Sequence, residues 1–445
     1  MNGDTNHRAI TVAADAGRGW TSHMEGRFRQ TPTLLKPTAN SYSCCIFRVP
    51  KSQVESNAKA YKPRVVSVGP YHHGEEQLML IEQHKPRLFS AMLDRTRDYG
   101  AGLDHYFEAV ASLETGIRDS YSEALDQETS VFIEMMVLDA CFIVEMFRVF
   151  AQVIRPDAND PLFSMRWIFT SLTLDLLLIE NQIPFIVLQT IYDLSSSPSE
   201  ANTSLNEIAL EFFNYALRLP AERLERHYQV SNVTHLLDLF RMGIIGHLDL
   251  EHPGWVDEES LQLIPSTKQL QLAGIKFEPR ESDELISVVF DDGVLRIPPL
   301  TLDFFTSSFF LNCVAFEQSY RYCSSHITNY MILMRCLVRS ALDAEFLSQR
   351  NIITNFLGTD EEVTRFFNDL AKDVMFDMKK SYLAELFEQV NRYHQNKWHV
   401  QRTGIKREYF GSPWSFISAA AAFILLVLTF VQAIYAIYAY YRPDD

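Results

Sequence analysis

The stretch from Pro413 to Tyr441, PWSFISAAAAFILLVLTFVQAIYAIYAYY, carries no charged side chain, and nothing else in the chain limits its architecture as much. At about 1.5 Å per helical residue the run is longer than the ~30 Å hydrocarbon core of a bilayer. Trp414 and Phe416 stand at one edge and Tyr438, Tyr440 and Tyr441 at the other, as interfacial aromatic belts do. A buried core helix needs some polar face, and Phe423 to Val431 offers almost none. Gln432 is the lone strongly polar side chain, suited to a partner helix. A C-terminal transmembrane helix over 413–441 is therefore expected.

The flanks set the expected orientation. Asn391 to Phe410 holds Arg392, Lys397, Arg402, Lys406 and Arg407 against Glu408, while Arg442, Asp444 and Asp445 follow the span. The positive-inside rule puts the N-terminal body in the cytosol, on a single-pass, tail-anchored protein. The plasma membrane is the expected location. The opening MNGDTNHRAITVAADAGRGW lacks the apolar core of a secretory signal. Two sequons, at Asn202 and Asn232, become glycan acceptors only if that sidedness is reversed.

Residues 1–40 are polar and without apolar periodicity, and read as a disordered, slightly basic arm, with a lipid-surface contact as the alternative. From about 44 to 400 a folded body is expected. Lys and Arg number 40 against 56 Asp and Glu, a net charge of −16, which argues against a nucleic-acid partner. Six cysteines are too sparse for a disulfide scaffold, and they read as reduced thiols.

The body reads as mainly α, a single large helical globule with a small β-hairpin. Leu78 to Thr96 has its apolar residues on one side of a helix. Residues 131–154 mimic a membrane span, but Glu134, Asp139, Glu145 and Arg148 place them in a protein core. Glu134, Glu145 and Arg148 fall within about 60° of one another on a helical wheel, and Glu145 can pair with Arg148 at i, i+3. Pro184 divides 172–194 into two helices or kinks it. Ser195 to Ser204 is a loop, followed by helices at 205–219 and 233–240. LISVVF, Asp291-Asp292-Gly293 and VLRIP at 285–297 predict the hairpin. Helical patterns resume at about Thr306 and run to Trp398. No internal repeat or long linker interrupts the body.

No nucleophile elbow, phosphate loop, HExxH, CxxC or kinase signature is present. Three constellations carry chemistry-bearing residues. His72, His73, Glu82 and His84 are possible metal ligands, although adjacent histidines on an extended segment face opposite ways. Hydrogen-bonded turn histidines are the simpler reading. Glu180-Asn181-Gln182 lies between apolar runs just before Pro184, where capping of backbone freed by the proline is expected. Glu134, Asp139 and Glu145 suit a salt-bridge network better than acid–base work, because Asp139 lies off the face of the other two.

Together these segments resemble a known plant family, domain of unknown function 247. The resemblance opens with Val49-Pro50, Asn57, Tyr61-Lys62-Pro63 and Val66-Ser67-Val68-Gly69-Pro70-Tyr71-His72-His73-Gly74. It continues through Glu82-Gln83-His84-Lys85, Met136 to Phe142 around Asp139, and Asp175 to Phe185 around Glu180, Asn181, Gln182 and Pro184. His235-Leu236-Leu237, Leu270 to Phe277, Pro298-Pro299-Leu300, Ala315-Phe316-Glu317-Gln318 and the C-terminal anchor complete it, over roughly 44 to 441. Ala140 and Leu302-Asp303-Phe304 depart modestly from the family pattern. The resemblance implies no catalytic residue and no cofactor. Some grass members are implicated as pollen-side determinants of gametophytic self-incompatibility, and the single sequence does not assign this chain to that subset. The leading expectation is a membrane-anchored, non-enzymatic recognition protein. It contacts lipid through its last helix and an unidentified protein or peptide partner through its body. An enzyme of unrecognised type built on the His/Glu cluster, and a membrane scaffold without allele-specific recognition, are the alternatives.

Overall fold

The computed structural model describes residue 20 and residues 23–25, 27–28, 32–98, 101–156, 160–217, 225–226, 228–246, 262–282, 284–370, 374–395 and 413–441. The body is mainly helical and divides into two compact units, Met1–Arg241 with Ala315–Ser324, and Met242–Val314 with Ser325–Asp445. No long linker marks the division, which falls inside two helices, after Arg241 and after Val314, and at a short turn after Ser324. That is why the sequence reads as one continuous helical body.

The first unit is built around a long apolar helix. Its longer helices are α1 (Lys85–Thr96), α2 (Leu103–Ser112), α3 (Thr129–Phe150), α4 (Arg166–Asp175), α5 (Phe185–Ser195), α6 (Leu205–Leu217) and the start of α7 (Leu236–Ile245). Helix α3 packs against α1, α2, α5 and α6, which cover nearly all of its surface and account for its membrane-like composition. Phe147, Phe150, Phe169 and Phe212 stack where α3, α4 and α6 meet.

The polar stripe expected on α3 divides in two. Glu134 is exposed, whereas Glu145 and Arg148 are buried and pair at 3.1 Å. Arg95 reaches Glu145, and Glu200 accepts from Arg148 Nε at 2.7 Å. Burying this pair is tolerable because each charge is matched and Ser195 and Ser196 accept from two further guanidinium N–H groups.

Two expectations need correction. The predicted helix from Leu78 to Thr96 is broken, with one turn at Met79–Glu82 and α1 starting at Lys85. Pro86 causes the break: its ring would collide with the carbonyl four residues earlier, at Glu82, and it sits comfortably only in a first turn. The second concerns the arm. Most of residues 1–31 lie outside the described residues, but the end of the expected disordered arm is tied to the body. Lys36 N–H donates to the Ser122 carbonyl at 3.0 Å, and Ala124 N–H to that of Thr33 at 2.8 Å. The Lys36 ammonium reaches the Arg118 carbonyl. Partners so far along the chain leave no periodicity to read.

The second unit holds the strands β1 (Lys276–Pro279), β2 (Val289–Asp291), β3 (Val294–Ile297), β4 (Leu300–Leu302) and β5 (Ile353–Asn355). The expected hairpin is β2–β3, turning through Asp292 and Gly293, both at positive φ. Strand β1 joins β3 in parallel, and β4 pairs with β5. These three strands have no more than four residues each, too few to show an alternation. Helices α8 (Phe304–Ser319), α9 (His326–Leu337), α10 (Ala341–Gln349), α11 (Asp360–Leu370) and α12 (Ala384–Gln395) follow. Helix α13, Pro413–Tyr441, includes Ala420–Tyr438, with a mean hydropathy of 2.4 and no part buried, long and apolar enough to cross a membrane.

Candidate functional site

The motif segments meet inside the first unit, where polar side chains from α1, α3, α4 and the loop after α4 grip an irregular segment, residues 64–69. Asp175 ends α4, and its Oδ2 accepts from the main-chain N–H of Arg64, Val65 and Val66 at 2.8, 2.7 and 3.1 Å. Asn181 acts in both senses. Its Oδ1 accepts from Val68 N–H at 2.7 Å, and its Nδ2 donates to the carbonyls of Val66 and Asp175. Asp139 accepts from Gly69 N–H at 2.7 Å and from the buried Lys85 ammonium. Lys85 also donates to the Ser67 carbonyl at 2.7 Å and to Glu82. Burial lifts the Asp139 carboxyl above the usual carboxylate range, against the pull of Lys85. Burial likewise pushes Asp175 up to about 6, although its three N–H donors oppose the shift.

The loop that delivers these groups, 176–184, is buried without being helical, so its own backbone needs partners. Gln182 supplies them. Its Nε2 donates to the Leu176 and Leu178 carbonyls at 2.8 Å, its Oε1 accepts from Leu237 N–H, and its carbonyl accepts from Tyr121 OH at 3.0 Å. Pro184 then serves as the N-terminal boundary of α5.

Glu180 faces the opposite way, toward the N-terminal segment. Val49 N–H donates to its Oε1 at 2.6 Å and Arg48 Nη1 to its Oε2 at 3.2 Å. His72 Nε2 lies 3.5 Å from the same oxygen without completing a hydrogen bond, while His72 Nδ1 meets Glu75 at 2.7 Å. Burial raises the Glu180 pKa, but His72, the Val49 N–H and Arg48 outweigh it and hold the carboxyl below its ordinary value. The Arg48 guanidinium lies 4.2 Å from the centre of the Tyr71 ring, and Tyr71 OH meets Ser122 Oγ.

The histidines do not form a cluster. His72 is buried and His73 exposed, on a turn and not on an extended segment. Glu82 is held by Lys85 and Ser67, and His84 accepts from Arg87, which also grips Asp160. Among the described residues no three potential ligands converge on a metal-sized site. Pro70 is buried, and exposed Gly74 turns the chain at φ +83°.

A second polar group centres on His235 and Arg241. The Arg241 Nε donates to Glu317 at 2.9 Å and its Nη1 to Asp238. Phe316 packs edge-on against the His235 ring, with centroids 4.7 Å apart, and Gln318 is exposed. Sequence reasoning passed over Arg48, Asp175, Asp238 and Arg241. Asp175 heads the motif that ends at Phe185, and a charge closing an apolar helix was the available signal. Nothing local marked the other three.

The family model described as a plant protein of unknown function, domain of unknown function 247, matches residues 46–428. The chain belongs to that family. It is 41% identical over 430 residues to UPF0481 protein At3g47200 of Arabidopsis thaliana, covering 92% of this chain and 89% of that one. Putative UPF0481 protein At3g02645 of the same plant is 23% identical over 482 residues, covering 87% and 89% respectively. No solved structure matches the chain. In this family member, the motif side chains Asp139, Asp175, Asn181 and Gln182 all bind main chain, so their demonstrable task is to fix a fold.

The His235 environment has a measurable consequence. Asp238 N–H donates to Nδ1 and Nε2 faces the Cys45 carbonyl, each at 3.2 Å, so the ring is neutral with its proton on Nε2. Burial pushes its pKa down to about 4, against Asp238 and the Cys45 carbonyl. A depressed histidine pKa means that the unfolded chain takes up the proton first. Its contribution to stability is full above about 6.5 and is lost as pH falls toward 4. Asp175 acts in reverse, since its raised pKa gives stability at low pH that is lost as pH rises through about 6. The decisive measurement is therefore the denaturation free energy of the wild type minus that of His235→Gln. Between pH 7.5 and 4 this difference is expected to fall by ~3 kcal/mol. A constant difference would refute the buried neutral ring.

Proposed function

We propose that the chain is a single-pass membrane protein whose body stays in the cytosol, at the plasma membrane, and recognises a protein or peptide partner without catalysing a reaction on it. The observation that carries this reading is where the motif chemistry goes. Acids and amides that a catalyst would turn toward a cleft are turned here toward backbone N–H and carbonyl groups. What such a body offers a partner is a shaped surface, and the apolar α13 holds that surface at a membrane. In the more specific version, the chain is the pollen-side determinant of self-incompatibility in a grass.

Two measurements test the reading. Asn202 and Asn232 both lie on exposed turns, so a body on the non-cytosolic side would carry glycans there. The expected result is no glycosidase-sensitive mass shift for the full chain expressed in plant cells, and a shift would reverse the sidedness. Alleles from one outcrossing population should differ mainly at exposed positions of the body. Uniform sequence across unrelated individuals would sink the self-incompatibility version.

A further inference from the structure

Helix α13 leaves one polar side chain unsatisfied. Between Ala420 and Tyr438 its side chains are apolar except for Thr429, Gln432, Tyr435 and Tyr438. The Thr429 hydroxyl donates to the Leu425 carbonyl at 2.7 Å, so its own helix satisfies it. The two tyrosines stand toward the end of the span, where a phenol reaches the interface. Gln432 makes no hydrogen bond among the described residues. It lies three residues past Thr429, the midpoint of the Ala420–Tyr438 stretch, which is roughly 4.5 Å along the axis. The edge of the hydrocarbon is about 15 Å from the midplane, too far for a glutamine side chain to cover the difference. In a bilayer that carboxamide therefore needs a partner at its own depth.

Among the described residues nothing else in the chain supplies one. No part of Ala420–Tyr438 is buried against the body, and it is the one described helix long and apolar enough to span. Lipid tails carry neither donor nor acceptor. A second copy carries both. Copies of one chain insert with the same sidedness, so a second α13 runs parallel and holds its Gln432 at the same depth. A carboxamide donates and accepts, so two of them facing across a two-fold axis satisfy each other. The neighbouring residues suit a close approach. Ser418, Ala421, Leu425, Leu428, Gln432 and Tyr435 recur at alternating steps of three and four, the seam of a left-handed helix pair, and all six are exposed.

We propose that α13 pairs in parallel with α13 of a second copy along this seam, the two Gln432 side chains hydrogen-bonded to each other inside the bilayer. The protein is then a dimer formed within the membrane, with both bodies on one side of it. This rests on the membrane reading above and adds a partner to it.

The test uses the full chain fused at its N-terminus to donor or acceptor fluorescent proteins, the two forms mixed in phosphatidylcholine vesicles. Energy transfer is followed as added lipid dilutes the protein. Transfer above the level of random proximity is expected. Gln432→Leu, which makes the helix more apolar and leaves the body untouched, should weaken association about tenfold. Gln432→Asn keeps the carboxamide and should retain most of the association. Phe430→Leu, on the opposite face of α13, should leave it unchanged. Transfer no higher than random, or a Gln432→Leu variant that associates as tightly as the wild type, overturns the pairing. An equal loss in Phe430→Leu overturns the seam. Alkaline carbonate extraction of the same vesicles separates this proposal from the reading beneath it. Chain that washes off rejects the membrane reading together with the pairing, whereas retained chain without transfer rejects the pairing alone.

Discussion

Gly69→Ala is expected to destabilise the body by about 3–5 kcal/mol, against about 1 kcal/mol for Gly74→Ala. Both glycines have positive φ, +73° and +83°, so both substitutions incur the same backbone strain. They differ in surroundings. A Cβ on Gly69 would sit 2.6 Å from the Gln182 carbonyl oxygen and 2.9 Å from Tyr121 OH, whereas one on Gly74 meets nothing within 4 Å. Neither neighbour of Gly69 can yield cheaply. The Gln182 carbonyl is main chain and accepts from Tyr121, and Gly69 N–H is held by Asp139. Relief of the clash therefore breaks at least one buried hydrogen bond besides the strain. Urea denaturation of the two variants side by side checks this. Equal losses would mean that the close approach does not exist in solution.

Lys85→Met is expected to cost a similar amount, about 3–5 kcal/mol, with part of the loss restored by adding Asp139→Asn. Methionine fills the space of the lysine stem but leaves Asp139 as a buried carboxylate without its cation, and the Ser67 carbonyl without its donor. Asparagine at 139 removes the charge while keeping an oxygen for Gly69 N–H. The double variant should regain roughly half of the loss, since the unpaired charge is the larger of the two faults. If it is no more stable than Lys85→Met alone, the ion pair contributes nothing specific and packing accounts for the whole effect.

What could be read in advance depended on range along the chain. The apolar helix α13, the core helix α3, the break before Pro184 and the β2–β3 turn are local patterns, and each is legible from composition and spacing alone. The interior grip on residues 64–69 is not local. The Asp175 contacts to Arg64 and Val65 cross 111 and 110 residues, and Glu180 reaches Val49 across 131. Periodicity identifies Glu180, Asn181 and Gln182 as buried polar groups in need of partners, and an expectation of local capping accounts for Gln182. It does not anticipate that Asn181 and Glu180 hold a different part of the chain. The tie of residues 33–36 to residues 118–124 is illegible for the same reason, since neither stretch has a pattern that names the other.

The grip on residues 64–69 also bears on how the protein is made. A nascent chain that has emerged only as far as α3 has no Asp175 or Asn181 to receive the N–H groups of Val65, Val66 and Val68. The N-terminal segment must wait, unsatisfied, until more than a third of the polypeptide has left the ribosome, and Gln182 waits longer still for Leu237. Helices α8 to α12 emerge after all of these and α13 emerges last, so this grip can close before the most apolar helix of the chain is made.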